Sequence, residues 1–297
     1  MNKIVFILFL IFFAGLISCE KNITITPPDL APKLVVDAQI ESGAQPIVVL
    51  STSLNYFSTI DTAELNNSFV RNAKVTLSDG TKTSQLKLVD LQVQGFRLVY
   101  YTNDPANPSG AFIGAYGKTY QLKVELNGQT FLSTTTIPVL SKTIDSIWSK
   151  PVPNRPTTDS FRVISAKITD PIGLGNYVRY YTKVNRQEFL PGYNSVFDDN
   201  VIDGKVYTVD IPKGVDKNFP LERDNYGFFK RGDTVSVKYS NIDKATYDFW
   251  RTWEYTYQSV GNPFSSPGVV NGNVSNGALG AFCGYATSFK NIIIPKQ

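Results

Sequence analysis

The side chains able to do chemistry form a restricted set, because the 297-residue chain contains no histidine and only two cysteines, Cys19 and Cys283. The absence of histidine excludes Ser-His and Cys-His nucleophilic catalysis, histidine acid–base catalysis and histidine-ligated zinc or copper. Thiols, carboxylates and aromatic side chains remain as the groups that could bind or react.

Cys19 follows a segment typical of secretory signals. A cationic start at residues 1–3 precedes a run of 13 apolar residues, 4–16, which is shorter than the roughly 20 needed to span a bilayer. Residues 16–19 (LISC) resemble a bacterial lipobox, in which the cysteine is diacylated, the signal is cut before it and the new amine is acylated. We therefore predict a signal peptide over residues 1–18 and lipidation of Cys19, which would anchor the chain at about 0.8 kcal/mol per buried methylene. The alternative is an ordinary signal followed by a chance cysteine.

Lipidation of Cys19 would leave Cys283 without an intrachain disulfide partner. Its neighbours Ala281, Phe282 and Gly284 indicate a core strand, so we expect Cys283 to be a small buried apolar residue. Pairing between two molecules is the alternative. Residues 19–32, which contain three prolines, predict an extended tether.

Carboxylates cluster in residues 197–204, where Asp198, Asp199 and Asp203 could hold calcium through hard oxygen ligands. The spacing departs from an EF-hand loop because position 12 is Val209. An acidic surface loop is the favoured interpretation, and no metal or other cofactor is predicted. The pairs Asp198/Asp199 and Glu222/Asp224 leave open a hydrolase that uses two carboxylates.

Aromatic residues make up 13% of the chain, including 16 tyrosines and three tryptophans. Sugars could stack on Tyr193 or on the pairs 100–101 and 180–181. The favoured interpretation is structural, since adjacent tyrosines in a strand point to opposite faces, one into the core and one outward.

The remaining pattern is that of β-strands. Short segments alternate polar and apolar residues between turn signals such as Asp79-Gly80 and Asn127-Gly128. The fold prediction is mainly β, with an N-terminal immunoglobulin-like β-sandwich over residues 33–140 and a second β-rich domain with one helix over residues 141–297. The net charge of +4 is too small and dispersed to favour nucleic acid as a partner.

The one predicted helix covers residues 240–258, where aromatic residues recur at helical intervals. Ser240 or Asn241 could cap it, with Asp243 in the first turn. Its aromatic face is expected to pack on a sheet. After it, residues 278–282 predict a strand interrupted by Gly280, where another backbone or a ligand could approach closely.

The second half also resembles a known family, the domain of unknown function 4249 lipoproteins of Bacteroidota. The resemblance rests on residues 169–171 (TDP), 176–177 (NY), 231–235 (RGDTV), 247–249 (YDF), 262–267 (NPFSSP), 276–280 (NGALG) and 284–285 (GY). Residues 32–36 (PKLVV) and 75–80 (VTLSDG) extend it to the first half. It implies an outer-membrane lipoprotein, often encoded beside TonB-dependent transporters, and implies no reaction.

Partner-contact candidates lie in the most specific part of this resemblance. They are Asn262, Pro263, Phe264, Ser265 and Tyr285. Phe264 could be an exposed anchor for a partner, or it could plug the domain itself.

The function expected is that of a non-enzymatic, lipid-anchored outer-membrane protein at the cell surface. It would be an accessory subunit of a TonB-dependent transport or an assembly complex, with an outer-membrane β-barrel as its partner. The alternative is a module that captures glycans or other ligands as nutrients, which requires a cleft lined by tyrosine or tryptophan.

Overall fold

The structure is a computed structural model that describes residues 31–54, 61–93, 96–221, 223–262, 265–266 and 268–296. The signal peptide, Cys19 and the tether up to residue 30 lie outside the described residues, so the predictions about them stay predictions. The segment Pro32–Gln297 forms one compact unit.

The largest sheet has eight strands, which come from both halves of the chain. The strands are β1 (Leu34–Glu41), β2 (Ile47–Thr52), β5 (Lys87–Val93), β6 (Phe96–Thr102), β11 (Tyr177–Val184), β12 (Leu190–Phe197), β15 (Thr234–Ile242) and β16 (Leu279–Ile293). Their spatial order is β12-β11-β15-β16-β1-β2-β6-β5.

Two four-stranded sheets accompany it, one from each half. The first contains β3 (Lys74–Ser78), β4 (Thr83–Gln85), β7 (Lys118–Leu126) and β8 (Gln129–Ile137). The second contains β9 (Thr143–Pro151), β10 (Phe161–Thr169), β13 (Val206–Ile211) and β14 (Phe229–Lys230). The α-helices of the described residues are α1 (Thr62–Ser68) and α2 (Lys244–Ser259). The prediction of a mainly β protein is confirmed.

Each half has a hydrophobic core. The first core contains Val36 and Ile40 of β1 together with Leu77 and Leu122 of the opposing sheet, so two β-layers enclose it. It also contains Phe282 from the far end of the chain. The second core gathers side chains from β10, β11 and β15. Both cores lie within the one compact unit Pro32–Gln297. The boundary between two domains at residue 140 therefore stays a prediction.

Strand β16 joins the two halves. Residues 279–285 pair in parallel with β1, and residues 285–293 pair antiparallel with β15. The pairing with β1 depends on close backbone approach at Gly280, whose φ is +91°, because a Cβ there would lie 2.0 Å from the carbonyl oxygen of Val36. This confirms the expectation that a backbone would approach at that glycine.

Helix α2 begins later than expected, and its capping residue differs from the prediction. Ser240 and Asn241 lie in β15, where ladder pairing with β11 and β16 holds them, so neither caps the helix. Asp243 is the N-cap, and its Oδ1 accepts a hydrogen bond from the Thr246 amide at 2.8 Å. Its Oδ2 accepts another from the Thr136 amide of β8 at 2.7 Å, which ties the helix to the N-terminal half.

Pattern analysis missed several elements, among them strand β12 and helix α1. Strand β12 contains Pro191 and Gly192, which usually disfavour a strand, but it lies at the edge of the large sheet, where a proline without an N–H is tolerated. Helix α1 spans seven residues and lacks an apolar stripe; its Asp61 cap accepts from the Glu64 amide at 2.7 Å. Among the described residues, no helix is both long enough and apolar enough to cross a bilayer.

The junction of β1 and β16 yields a stability prediction. The substitution Gly280→Ala should lower the free energy of unfolding by about 2 kcal/mol more than Gly277→Ala, as measured by urea unfolding. Both glycines have positive φ, +91° and +73°, so both variants carry the same kind of backbone strain. At Gly277 an added Cβ would have no atom within 4 Å, so only Gly280→Ala forces β1 and β16 apart. Equal losses in the two variants would contradict this account of the junction.

Candidate functional site: a cavity beside strand β1 and helix α2

A cavity of about 1080 Å³ is lined by residues from both halves of the chain. Along β1, Val36, Ala38 and Ile40 point into the first core, so by alternation Val35, Asp37 and Gln39 point to the opposite face of the sheet and line the cavity. Strand β11 and helix α2 supply most of the remaining polar and aromatic lining: Arg179, Tyr181, Phe249, Trp250 and Trp253.

Helix α2 is held over the sheet by its aromatic face. Tyr247, Phe249 and Trp250 pack against a cluster that contains Ala281 and Cys283 of β16. The expectation that this face packs on a sheet is therefore confirmed. Trp253 continues the same helical surface and stacks on Tyr257 with ring centroids 5.5 Å apart. The helix thus places two indoles in the cavity wall.

Arg179 is the buried cation of the cavity wall, with 3% of its surface exposed. Its guanidinium carbon lies 3.4 Å from the ring centroid of Trp250 and 4.8 Å from that of Tyr181. Its Nε donates to Ser195 Oγ at 3.1 Å, and Nη1 donates to the Tyr285 hydroxyl at 3.3 Å. Stacking and hydrogen bonding together fix its orientation.

Glu254 supplies the opposing charge from helix α2 and is 3% exposed. Its Oε2 accepts from the Ser195 amide at 2.9 Å, and Oε1 accepts from the Ser195 hydroxyl at 2.6 Å. Lys217 completes the group, with Nζ 3.2 Å from Oε1. Burial lowers the pKa of Lys217, although the charge of Glu254 acts in the opposite direction. One carboxylate therefore links the helix, the edge strand β12 and the loop that carries Lys217.

Tyr285 lies inside this network and is buried, with 2% of its surface exposed. Its hydroxyl accepts from Trp250 Nε1 at 2.8 Å and from Arg179 at 3.3 Å. Burial raises the pKa of Tyr285 well above its usual value, so the phenol stays protonated. The residue predicted as a partner contact therefore lies in the cavity wall and is not presented on the outer surface, because alternation in β16 turns it beneath helix α2.

Two of the other partner-contact candidates, Asn262 and Ser265, lie near the end of helix α2. Asn262 is exposed and Ser265 is half-buried, and the Ser265 hydroxyl donates to the Asn262 carbonyl at 2.9 Å. Pro263 and Phe264 lie outside the described residues. Contact of this loop with a partner stays a prediction.

The paired tyrosines follow the favoured structural interpretation. Tyr101 and Tyr180 are buried, while their neighbours Tyr100 and Tyr181 are half-buried on the other face. Tyr181 is nevertheless a cavity residue. Tyr193 packs edge-to-face on Tyr226, with centroids 5.9 Å apart.

The acidic loop is hydrogen-bonded to the backbone of residues 173–175 and to helix α2. Asp199 accepts from the Gly175 amide at 3.0 Å, Asp203 accepts from the Gly173 amide at 2.7 Å, and Asp198 accepts from the Tyr247 hydroxyl at 2.8 Å. Carboxylate oxygens of Asp170, Asp199 and Asp203 lie within 4.8 Å of one another. The buried ammonium of Lys142 lies 2.5 Å from Asp170 and so supplies a positive charge there. Glu222, of the second carboxylate pair, lies outside the described residues.

Cys283 is a buried free cysteine. Burial raises the pKa of its thiol to about 12, so the nucleophilic thiolate is scarce at neutral pH. This agrees with the expected role as a small apolar core residue.

Several cavity residues were not singled out by sequence reasoning. Trp250 and Trp253 were recognised only as a packing face, and Arg179 only as part of a strand. Asp37 could have been found from the sequence. It is a carboxylate in the largely apolar segment 34–40 (LVVDAQI), at a position where alternation turns its side chain away from the core. Their convergence depends on strand pairing between residues more than 100 positions apart, which local patterns do not report.

The buried charges generate the second prediction. Glu254→Gln should lower the free energy of unfolding by about 3–5 kcal/mol in urea unfolding, because it leaves Arg179 and Lys217 buried without their shared counter-charge. Asp248→Asn is the matched control on the same helix: it removes a carboxylate that pairs with Lys244 at the surface, and it should change stability by less than about 0.5 kcal/mol. A Glu254→Gln variant as stable as the control would contradict the role assigned to the network.

Comparison with known proteins shows the family. No curated protein matches the chain. The family model described as "Domain of unknown function (DUF4249)" matches residues 20–291, which is most of the sequence and contains every cavity residue named above. The chain therefore belongs to the DUF4249 family.

Proposed function

We propose that this protein is a non-enzymatic ligand-binding lipoprotein, anchored at the cell surface in the outer membrane through Cys19. In this proposal it acts as an accessory subunit that captures a small ligand for a TonB-dependent transporter. The observation that carries the proposal is the cavity formed by β1, β11 and helix α2.

The cavity has the characteristics of a small-molecule site. Its volume of about 1080 Å³ slightly exceeds the roughly 300–1,000 Å³ that is usual for ligand pockets. Its lining is largely apolar and aromatic, with a few charged groups at defined positions. Arg179 donates to Tyr285 and to Ser195, and Ser195 in turn donates to Glu254. Because these hydrogen bonds and the stacking of Arg179 on Trp250 fix the side chains, the wall is organised before any ligand arrives.

The sequence leaves two roles open, an accessory subunit of a transporter and a module that captures ligands. The cavity favours a protein that does both. A protein tethered beside a transporter raises the local concentration of whatever it binds. The lipobox-like residues 16–19 and the tether support the anchored location, and the family resemblance supports the transporter as partner. An assembly complex is the second partner consistent with the same features.

Binding in the cavity is tested by fluorescence, since two of the three tryptophans, Trp250 and Trp253, line it. A small-molecule extract of the growth medium or cell surface should change the emission of the wild-type protein. The change should persist in Trp148→Phe, whose indole lies on β9 away from the cavity lining, and disappear in Trp253→Phe combined with Trp250→Phe. A response that depends on Trp148 would contradict binding in the cavity.

The anchor is tested by metabolic labelling. Wild-type protein should incorporate radioactive palmitate and fractionate with the outer membrane, whereas Cys19→Ser should be unlabelled and lose that location. Cys283→Ser is the matched control and should keep the label, because its thiol is buried. Affinity purification of the wild-type protein in mild detergent should recover a β-barrel transporter; unlabelled wild-type protein or repeated failure to recover a barrel would contradict the anchored accessory role.

A further inference from the structure

Asp37 differs from the other charged groups of the cavity. Its side chain is exposed to the cavity, and no hydrogen bond or ion pair joins its carboxylate to any residue the structure describes. Gln39, two residues along the same face of β1, is also exposed there and likewise has no side-chain hydrogen bond within the described ranges. Two acceptor groups therefore point from one strand into the cavity.

The cations of the cavity wall are already bound within the protein. Arg179 donates to Ser195 and Tyr285 and stacks on Trp250, while Lys217 pairs with the buried Glu254. Asp216, the other lining carboxylate, accepts from the Asn218 amide at 3.0 Å and from its side-chain nitrogen at 2.8 Å. Within the described residues, Asp37 is thus the charged lining group that still lacks a hydrogen-bond donor. The two cations of the wall already have their acceptors.

Electrostatics supports the same conclusion. Burial raises the pKa of Asp37, and the positive charge of Arg179 opposes that effect without reversing it. The protein therefore disfavours the charged carboxylate and offers it no direct partner. Such a residue in a concave site is characteristic of a group kept for a ligand.

The surroundings of Asp37 define the rest of the ligand. Val35, Ile47 and Val49 flank it on β1 and β2, and Trp253 and Phe249 contribute aromatic surface from helix α2. These side chains would bury an apolar body. A ligand seated on them would also remove water from the exposed Asp37 carboxylate, and its bond to a charged donor would then be stronger than the same bond in water.

We propose that the cavity binds a ligand that carries a primary ammonium group on an apolar body, and that Asp37 receives the ammonium. The inference rests on the proposed function of the cavity as a ligand site and specifies its chemistry. A hydrophobic amine and the free amino terminus of a short apolar peptide share this chemistry. Gln39 can accept a second hydrogen bond from the same group.

The test compares matched ligands by titration calorimetry at neutral pH on the mature lipidated protein. The first pair is hexylamine and 1-hexanol; the second is leucyl-leucinamide and its N-acetyl derivative. In each pair the apolar body is retained and the ammonium is removed. The amines should bind at least about tenfold more tightly than their neutral analogues, and the pair with the higher affinity identifies the source, amine or peptide.

Two protein variants complete the design. Asp37→Asn should bind the amines at least about tenfold more weakly while remaining folded, because its carboxylate makes no hydrogen bond or ion pair with a described residue. Asp248→Asn is the matched control: it removes a carboxylate of helix α2 that lies outside the lining and pairs with Lys244, and it should retain wild-type affinity within about twofold. Thermal unfolding of both variants checks that lost binding is not lost structure.

The proposal is overturned if the neutral analogues bind as tightly as the amines, or if Asp37→Asn binds the amines like the wild type. Binding of the neutral trisaccharide maltotriose without binding of either amine would also overturn it, while leaving the proposed ligand-binding function intact. If neither these probes nor the small-molecule extract bind, both the ligand class and the proposed function fall together.

Discussion

The parallel pairing of β1 with β16 is the constraint on which the rest of the structure depends. It places residues 35–41 beside residues 279–285, although nearly the whole chain separates them. The first core is completed by Phe282 from β16, and the opposite face of the same strands contributes to the cavity. Without this pairing, Asp37 would not share a cavity with Arg179 and helix α2. The β-ladder is therefore both the main structural connection and the means by which the site is assembled.

Two carboxylates, one at the N-cap of helix α2 and one within the helix, fix the helix against its surroundings. Asp243 caps helix α2 with one carboxylate oxygen and binds β8 with the other, so the helix has a fixed position relative to the N-terminal half. Glu254, three turns further along, binds Ser195 and Lys217. Buried charges of this kind add little net stability compared with apolar packing, but removing one partner is costly. Their effect here is to keep the cavity wall in one arrangement.

The sequence was informative where structure is local. Alternation placed the adjacent tyrosines at 100 and 101 on opposite faces, and helical spacing predicted an aromatic helix packed on a sheet. Local reasoning failed where pairing decides the outcome: Ser240 is a strand residue because β11 and β16 flank it, and Pro191 is tolerated because its strand is at an edge. The candidate site was accessible only in fragments, because Asp37, Arg179 and Trp253 come from three distant segments.

The central claim is that a cavity shared by the two halves of the chain holds a ligand against Asp37. The most direct measurement is a crystal structure of the lipidated protein purified from its own membranes. The account predicts density for a bound molecule among β1, β11 and helix α2, with a donor nitrogen within hydrogen-bond distance of the Asp37 carboxylate. A bound molecule at another surface, or a β1 strand no longer paired with β16, would contradict it.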